Sequence, residues 1–146
     1  MLINKIYFTI HGEQGLGIGY PCIIVRFQGC HIRCYQKTKN CLCDTPDALQ
    51  IGGEQGKEMS IGELYSNIYN IVEDYGVRNL LITGGDPLVQ GKELASFLDS
   101  YAWRFDNIVI ETSGTIPYGE FKRRNVTLVV DRKTPSSGYT KFVEKD

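Results

Sequence analysis

Cys22-Ile23-Ile24-Val25-Arg26-Phe27-Gln28-Gly29-Cys30 is the stretch that sets the architecture: a β-branched, aromatic run that reads as a buried strand and ends in a cysteine. Three later runs repeat the pattern. Leu80-Leu81-Ile82-Thr83 leads into Gly84-Gly85-Asp86-Pro87, Ile108-Val109-Ile110-Glu111 leads into Thr112-Ser113-Gly114, and Val126 to Val130 leads into Asp131-Arg132-Lys133. An earlier apolar run, Ile6 to Ile10, precedes a glycine-rich connection from Gly12 to Gly19.

Helices are predicted between these runs. Ser60-Ile61-Gly62-Glu63 has the form of a capping box, and Leu64, Ile68, Ile71 and Val72 follow mostly at helical spacing. This predicts a helix from 61 to about 75, with Gly76 at its end. Leu94, Phe97, Leu98 and Tyr101 predict a second helix over roughly 91 to 101, and a short helical turn is expected near Tyr118 to Arg123. Strands separated by helices predict an α/β fold with βαβ units and a mostly parallel sheet. Ligands bind such sheets at the carboxyl ends of the strands, so the unusual residues should converge on one rim.

A chain of 146 residues, 42% of them hydrophobic, fits a single domain spanning 1–146. The net charge of -1 gives no basic face, so neither nucleic acid nor an anionic membrane is expected as partner. The N-terminus has no long apolar segment and no run reaches about 18 apolar residues, so a cytoplasmic protein that does not span a membrane is expected.

All five cysteines (Cys22, Cys30, Cys34, Cys41, Cys43) precede Asp44. In a reducing compartment such crowding reads as metal binding or redox chemistry rather than as disulfides. Cysteine thiolates hold iron-sulfur clusters, and three of them leave one iron open to an external ligand. The alternative is a four-cysteine zinc knot, although Cys41 and Cys43 are closer than the usual zinc pair and no zinc-type histidine follows. Spacing alone leaves both open.

Ile10-His11-Gly12-Glu13 and Val25-Arg26-Phe27-Gln28-Gly29-Cys30-His31-Ile32-Arg33-Cys34 resemble the N-terminal signature of the 7-carboxy-7-deazaguanine synthases, radical S-adenosylmethionine (SAM) enzymes of queuosine biosynthesis. The resemblance extends from about Lys5 to Gly138 and implies a partial βα barrel of the radical SAM type. It implies a 4Fe-4S cluster on Cys30, Cys34 and Cys43, in a loop spanning 30–45, with the open iron taking SAM. Leu42-Cys43-Asp44-Thr45 follows an apparent insertion from Gln36 to Cys41, which leaves Cys41 outside the ligand set.

By the same resemblance, Leu42, Asp44, Gly84, Gly85, Asp86, Ser113 and Lys133 belong to the SAM site, with the Asp86 carboxylate and nearby backbone meeting the SAM amino group. Thr45 contacts Mg2+. Glu13, Arg26 and Thr83 face a substrate implied to be 6-carboxy-5,6,7,8-tetrahydropterin, whose lyase-type ring contraction yields 7-carboxy-7-deazaguanine. Arg26 also stands out bottom-up, because a guanidinium on an otherwise apolar strand needs an anion. A flavodoxin or ferredoxin reductant and a possible homodimer are further implications.

The chain departs from the pattern where His11 replaces a glutamine and Gln14 is inserted before Gly15. His11 and His31 are the only histidines and are expected to be structural or solvated rather than bases. A glycyl-radical-enzyme activase, similarly short and also carrying Gly-Gly-Asp-Pro-Leu, is the second expectation; a non-catalytic metal-binding remnant is the third. Only Gly138 to Asp146 follow Pro135-Ser136-Ser137, so about five strands are expected where a fuller barrel has about six.

Overall fold

The structure is a computed structural model, in which residues 1–12, 15–32, 34, 43–49, 55–133 and 135 are described. Its elements are β1 (Leu2–Ile10), β2 (Pro21–Phe27), β3 (Lys57–Glu58), α1 (Ile61–Tyr75), β4 (Asn79–Gly84), α2 (Gly91–Tyr101), β5 (Asn107–Thr112) and β6 (Val126–Val130). The sheet runs β3-β1-β2-β4-β5-β6. From β2 through β6 it is parallel, and β1 pairs antiparallel with both β2 and β3.

Alternation along each strand divides the sheet into two faces. Ile23, Val25, Phe27, Leu80, Ile82, Ile108 and Ile110 turn to one face and pack with Leu64 and Ile68 of α1 and with Leu94, Phe97 and Leu98 of α2. Each fully buried side chain of this kind contributes about 1.5–3 kcal/mol. The other face carries a smaller cluster of Cys22, Ile24, Leu81 and Val109, with Tyr7 and Val129 against it. Because the central strands are covered on both faces, they read as continuous apolar runs.

The helices match the sequence expectation, since α1 covers 61–75 and α2 covers 91–101. Two features of the sheet do not. β1 begins at Leu2, before the apolar run, and Lys57–Glu58 form an unexpected sixth strand against Leu2 and Ile3. Both β3 residues are exposed. Backbone bonding extends the pairing: Met59 N donates to Met1 O at 2.7 Å, and the terminal ammonium donates to Met59 O at 2.6 Å. Hydrophobic patterning carries no signal for an edge pair made by backbone alone. Among the described residues, no helix is long and apolar enough to cross a membrane.

A buried polar tie sits beneath the rim. Asn4 Nδ2 donates to Gln28 Oε1 at 2.7 Å, Gln28 Nε2 to the Asp47 carbonyl at 3.0 Å, and Gln90 Nε2 to the Gln28 carbonyl at 2.9 Å. It fixes the chain between β2 and the first loop cysteine.

Candidate metal centre

Gly29 and Cys30 leave the end of β2 held from two sides. Gly29 N donates to Ala48 O at 2.8 Å and Cys30 N to Leu49 O at 3.2 Å, while Asp86 N donates to Gly29 O at 2.9 Å. The second contact requires glycine at the end of β4. A Cβ on Gly85 would stand 2.2 Å from Gly29 O, and one on Gly84, at φ +141°, would stand 2.2 Å from Phe27 O. Two strand ends therefore meet backbone to backbone.

A cavity of about 270 Å³ opens at this rim. Cys30, Cys34 and Cys43 line it, together with Asp44, Thr45, Thr83, Gly84, Gly85, Ser113 and Lys133. Ten of the residues singled out in the sequence thus share one space, brought there from β2, β4, β5, β6 and the cysteine loop. Glu13 and Leu42, and the inserted Cys41, lie outside the described residues. Arg26 and Asp86 do not line the cavity.

Asp86 is buried and its carboxylate is committed. Oδ1 accepts from Leu88 N at 3.1 Å and from Thr112 Oγ1 at 3.0 Å; Oδ2 accepts from Ser113 N at 3.2 Å and from Ser113 Oγ at 2.5 Å. It joins the end of β4 to the end of β5 from behind the cavity wall. The Arg26 guanidinium is half-buried: its Nη2 reaches Tyr7 Oη at 3.5 Å, and its Nε is buried without a hydrogen-bond partner. His11 is also buried, with Nε2 unpartnered.

Burial pushes the Cys30 thiol up; the Ile32 backbone N–H, donating to its sulfur, opposes this, while Asp86 and the other two thiols add to it. Burial also raises Cys34, against the pull of Lys133. Burial alone would lower Lys133, but its ion pair with Asp131 and the nearby Cys34 outweigh it, so its ammonium is held above the ordinary lysine value. The metal-free site therefore keeps these two thiols protonated, and loading must displace protons.

The donor set fits an iron-sulfur cluster. Three soft sulfur donors share the cavity, and a cluster takes one thiolate per iron. Among the described residues, no three His, Cys, Asp or Glu side chains close on a single ion.

Of the wall residues, Ile32, Leu49 and Val129 were not expected there, whereas Glu111, Thr112 and Asp131 belong to the strand ends that the sequence placed on the rim. Glu111 carried a signal, being a carboxylate that closes the apolar run Ile108-Val109-Ile110. Ile32, Leu49 and Val129 carried none, being apolar residues that nothing in the sequence sets apart from those of the core.

A family model for a 4Fe-4S single cluster domain matches residues 14–132. The 7-carboxy-7-deazaguanine synthase of Methanospirillum hungatei is 33% identical over 94% of this chain and 52% of its own length. That of Thermoplasma acidophilum is 35% identical over 97% of this chain and 60% of its own. The crystal structure of QueE from Escherichia coli superposes with a TM-score of 0.69 at 26% identity, covering 88% of this chain and 59% of that one. The chain spans little more than half the length of these relatives.

Proposed function

The chain belongs to the 4Fe-4S single cluster domain family, and from that premise we propose that it is a radical SAM enzyme of the 7-carboxy-7-deazaguanine synthase kind. Its substrate is 6-carboxy-5,6,7,8-tetrahydropterin and its reaction the ring contraction to 7-carboxy-7-deazaguanine. The observation that carries the reading is the joint lining of one cavity by Cys30, Cys34 and Cys43 and by the glycine pair that ends β4.

Cys30, Cys34 and Cys43 would hold three irons of the cluster and leave the fourth for SAM. The bound pair supplies one-electron SAM cleavage and hydrogen-atom abstraction from the substrate. The protein positions and shields. Gly84 and Gly85 would let backbone approach SAM closely, Ser113 and Asp44 would offer it polar contacts, and Lys133 would supply a positive charge to the same cavity. By the family resemblance, Leu42 would offer an apolar contact to the SAM adenine. Asp86 serves this site through Ser113, because its own acceptor positions are filled.

Arg26 would hold the pterin carboxylate, with Glu13 and Thr83 on the ring. Thr45, whose Oγ1 donates to Asp44 Oδ1 at 3.2 Å, would contact Mg2+. A flavodoxin or ferredoxin type of reductant would deliver the electron in the cytoplasm.

The test is anaerobic reconstitution of the full chain with iron and sulfide, followed by cluster analysis and assay of 5'-deoxyadenosine under reductant with and without the pterin. About four irons per chain and pterin-dependent product are expected. Absence of cluster and of SAM cleavage would overturn the enzyme reading; SAM cleavage without pterin turnover would overturn the substrate.

A further inference from the structure

A hydrogen-bond chain runs from the cysteine loop into the interior. His31 Nε2 lies 2.6 Å from Thr115 Oγ1, Thr115 Oγ1 lies 2.8 Å from Ser113 Oγ, and Ser113 Oγ donates to Asp86 Oδ2 at 2.5 Å. The inner end fixes the order of the protons. Ser113 commits its only hydroxyl proton to the carboxylate, so toward Thr115 it can only accept. Thr115 is therefore the donor to Ser113, and its oxygen accepts from a proton on His31 Nε2.

The same turn bears on the cluster sulfur. The backbone N–H of Ile32 donates to the sulfur of Cys30, and His31 stands between the two residues. Ile32 itself is buried, whereas the His31 ring is exposed.

We propose that His31 is a positioning residue for the iron-sulfur site: through Thr115, Ser113 and Asp86 it fastens the Cys30–Ile32 turn to the ends of β4 and β5 and keeps the Ile32 N–H on the Cys30 sulfur. The proposal rests on Cys30 being a cluster ligand. Hydrogen bonds to cluster sulfurs favour the reduced, more negative cluster and so raise its potential. Releasing the turn should lower that potential while leaving all three ligands in place.

The test has two readouts on the full chain. In the metal-free protein, amide hydrogen exchange at Ile32 is compared across His31→Ala, Thr115→Val, the double variant and His31→Gln. The first two should each speed exchange by about fivefold, the usual scale for one lost hydrogen bond. The double variant should add nothing, because both break the same link. His31→Gln, which keeps a donor near the Nε2 position, should return exchange toward the parent rate. In reconstituted protein, the cluster midpoint potential should fall in His31→Ala and Thr115→Val and recover in His31→Gln. Unchanged exchange in the first two variants, additive effects in the double, or a glutamine variant that behaves like alanine would overturn the proposal. Should no variant and no parent protein assemble a cluster, the iron-sulfur reading fails, while the exchange result still decides whether the latch exists.

Discussion

At the scale of single residues, Asp86 joins stability to the site. Four donors converge on its carboxylate, three of them from Thr112 and Ser113 at the end of β5. Asp86→Ala strands all four in a buried place, so a loss of about 3 kcal/mol or more is expected. For a domain of this size, thermal melts of the metal-free protein should fall by roughly 10 °C. Asp86→Asn, which keeps one oxygen acceptor and the side-chain shape, should lose distinctly less; equal losses would mean that volume rather than hydrogen bonding matters there. The sequence marks Gly84-Gly85-Asp86-Pro87 as unusual, but the direction of the carboxylate depends on partners 26 and 27 positions along the chain. Local motif reading cannot supply that. Cys22 tests a second kind of burial. Its thiol is buried in the smaller apolar cluster and desolvation raises it above the ordinary value of 9.0. The folded state thus disfavours the thiolate, so the contribution of Cys22 to stability is intact below that ordinary value and is lost as pH rises past it. Urea midpoints measured from pH 7 to 10 should decline, and Cys22→Ala should shallow the decline.

At the scale of elements, what the side chains dictate was legible and what the backbone alone dictates was not. The start of α1 illustrates the first case. Ser60 Oγ accepts from Glu63 N at 3.2 Å, Glu63 Oε2 accepts from Ser60 N at 2.7 Å, and both partners are four-residue-window features. Ser60→Ala should cost about 1 kcal/mol, read as a small drop in denaturation midpoint with an unchanged m-value. The hydrogen bond from Ser60 holds the Glu63 carboxyl below its ordinary value. The cap is therefore at full strength above the ordinary carboxylate range and weakens as pH falls through the lowered value. β3 illustrates the second case, because its residues contribute only backbone pairing. The glycine pair after β4 lies between the two. A strand ending in glycines was visible, while the approach of Gly85 to Gly29 was not. With a Cβ on Gly85 placed 2.2 Å from Gly29 O and 2.7 Å from Ala48 O, Gly85→Ala must separate β4 from the cysteine turn. Iron retained after reconstitution should drop sharply in that variant, even where circular dichroism still reports the sheet and helices.

At the scale of the whole molecule, the two faces of the sheet have different duties. The helix-covered face holds the main core, and its apolar periodicity made it readable in advance. The other face has a small apolar cluster and, near the rim, Arg26, which pairs in register with Thr83 on β4 and Lys5 on β1. A guanidinium nitrogen buried there without a partner is costly to the free protein and useful to one that must bind an anion. This gives opposite signs for two measurements on one variant. Arg26→Leu should stabilise the metal-free chain by about 1–2 kcal/mol, because an unsatisfied polar group leaves a buried position. The same variant should lose the thermal shift that a carboxylated pterin gives the parent, which at a hundredfold excess over Kd amounts to about 2.7 kcal/mol. A pterin without the carboxylate should shift neither protein. If Arg26→Leu is instead destabilised and still responds to the carboxylated pterin, the arginine is a structural member of the sheet and the anion is held elsewhere.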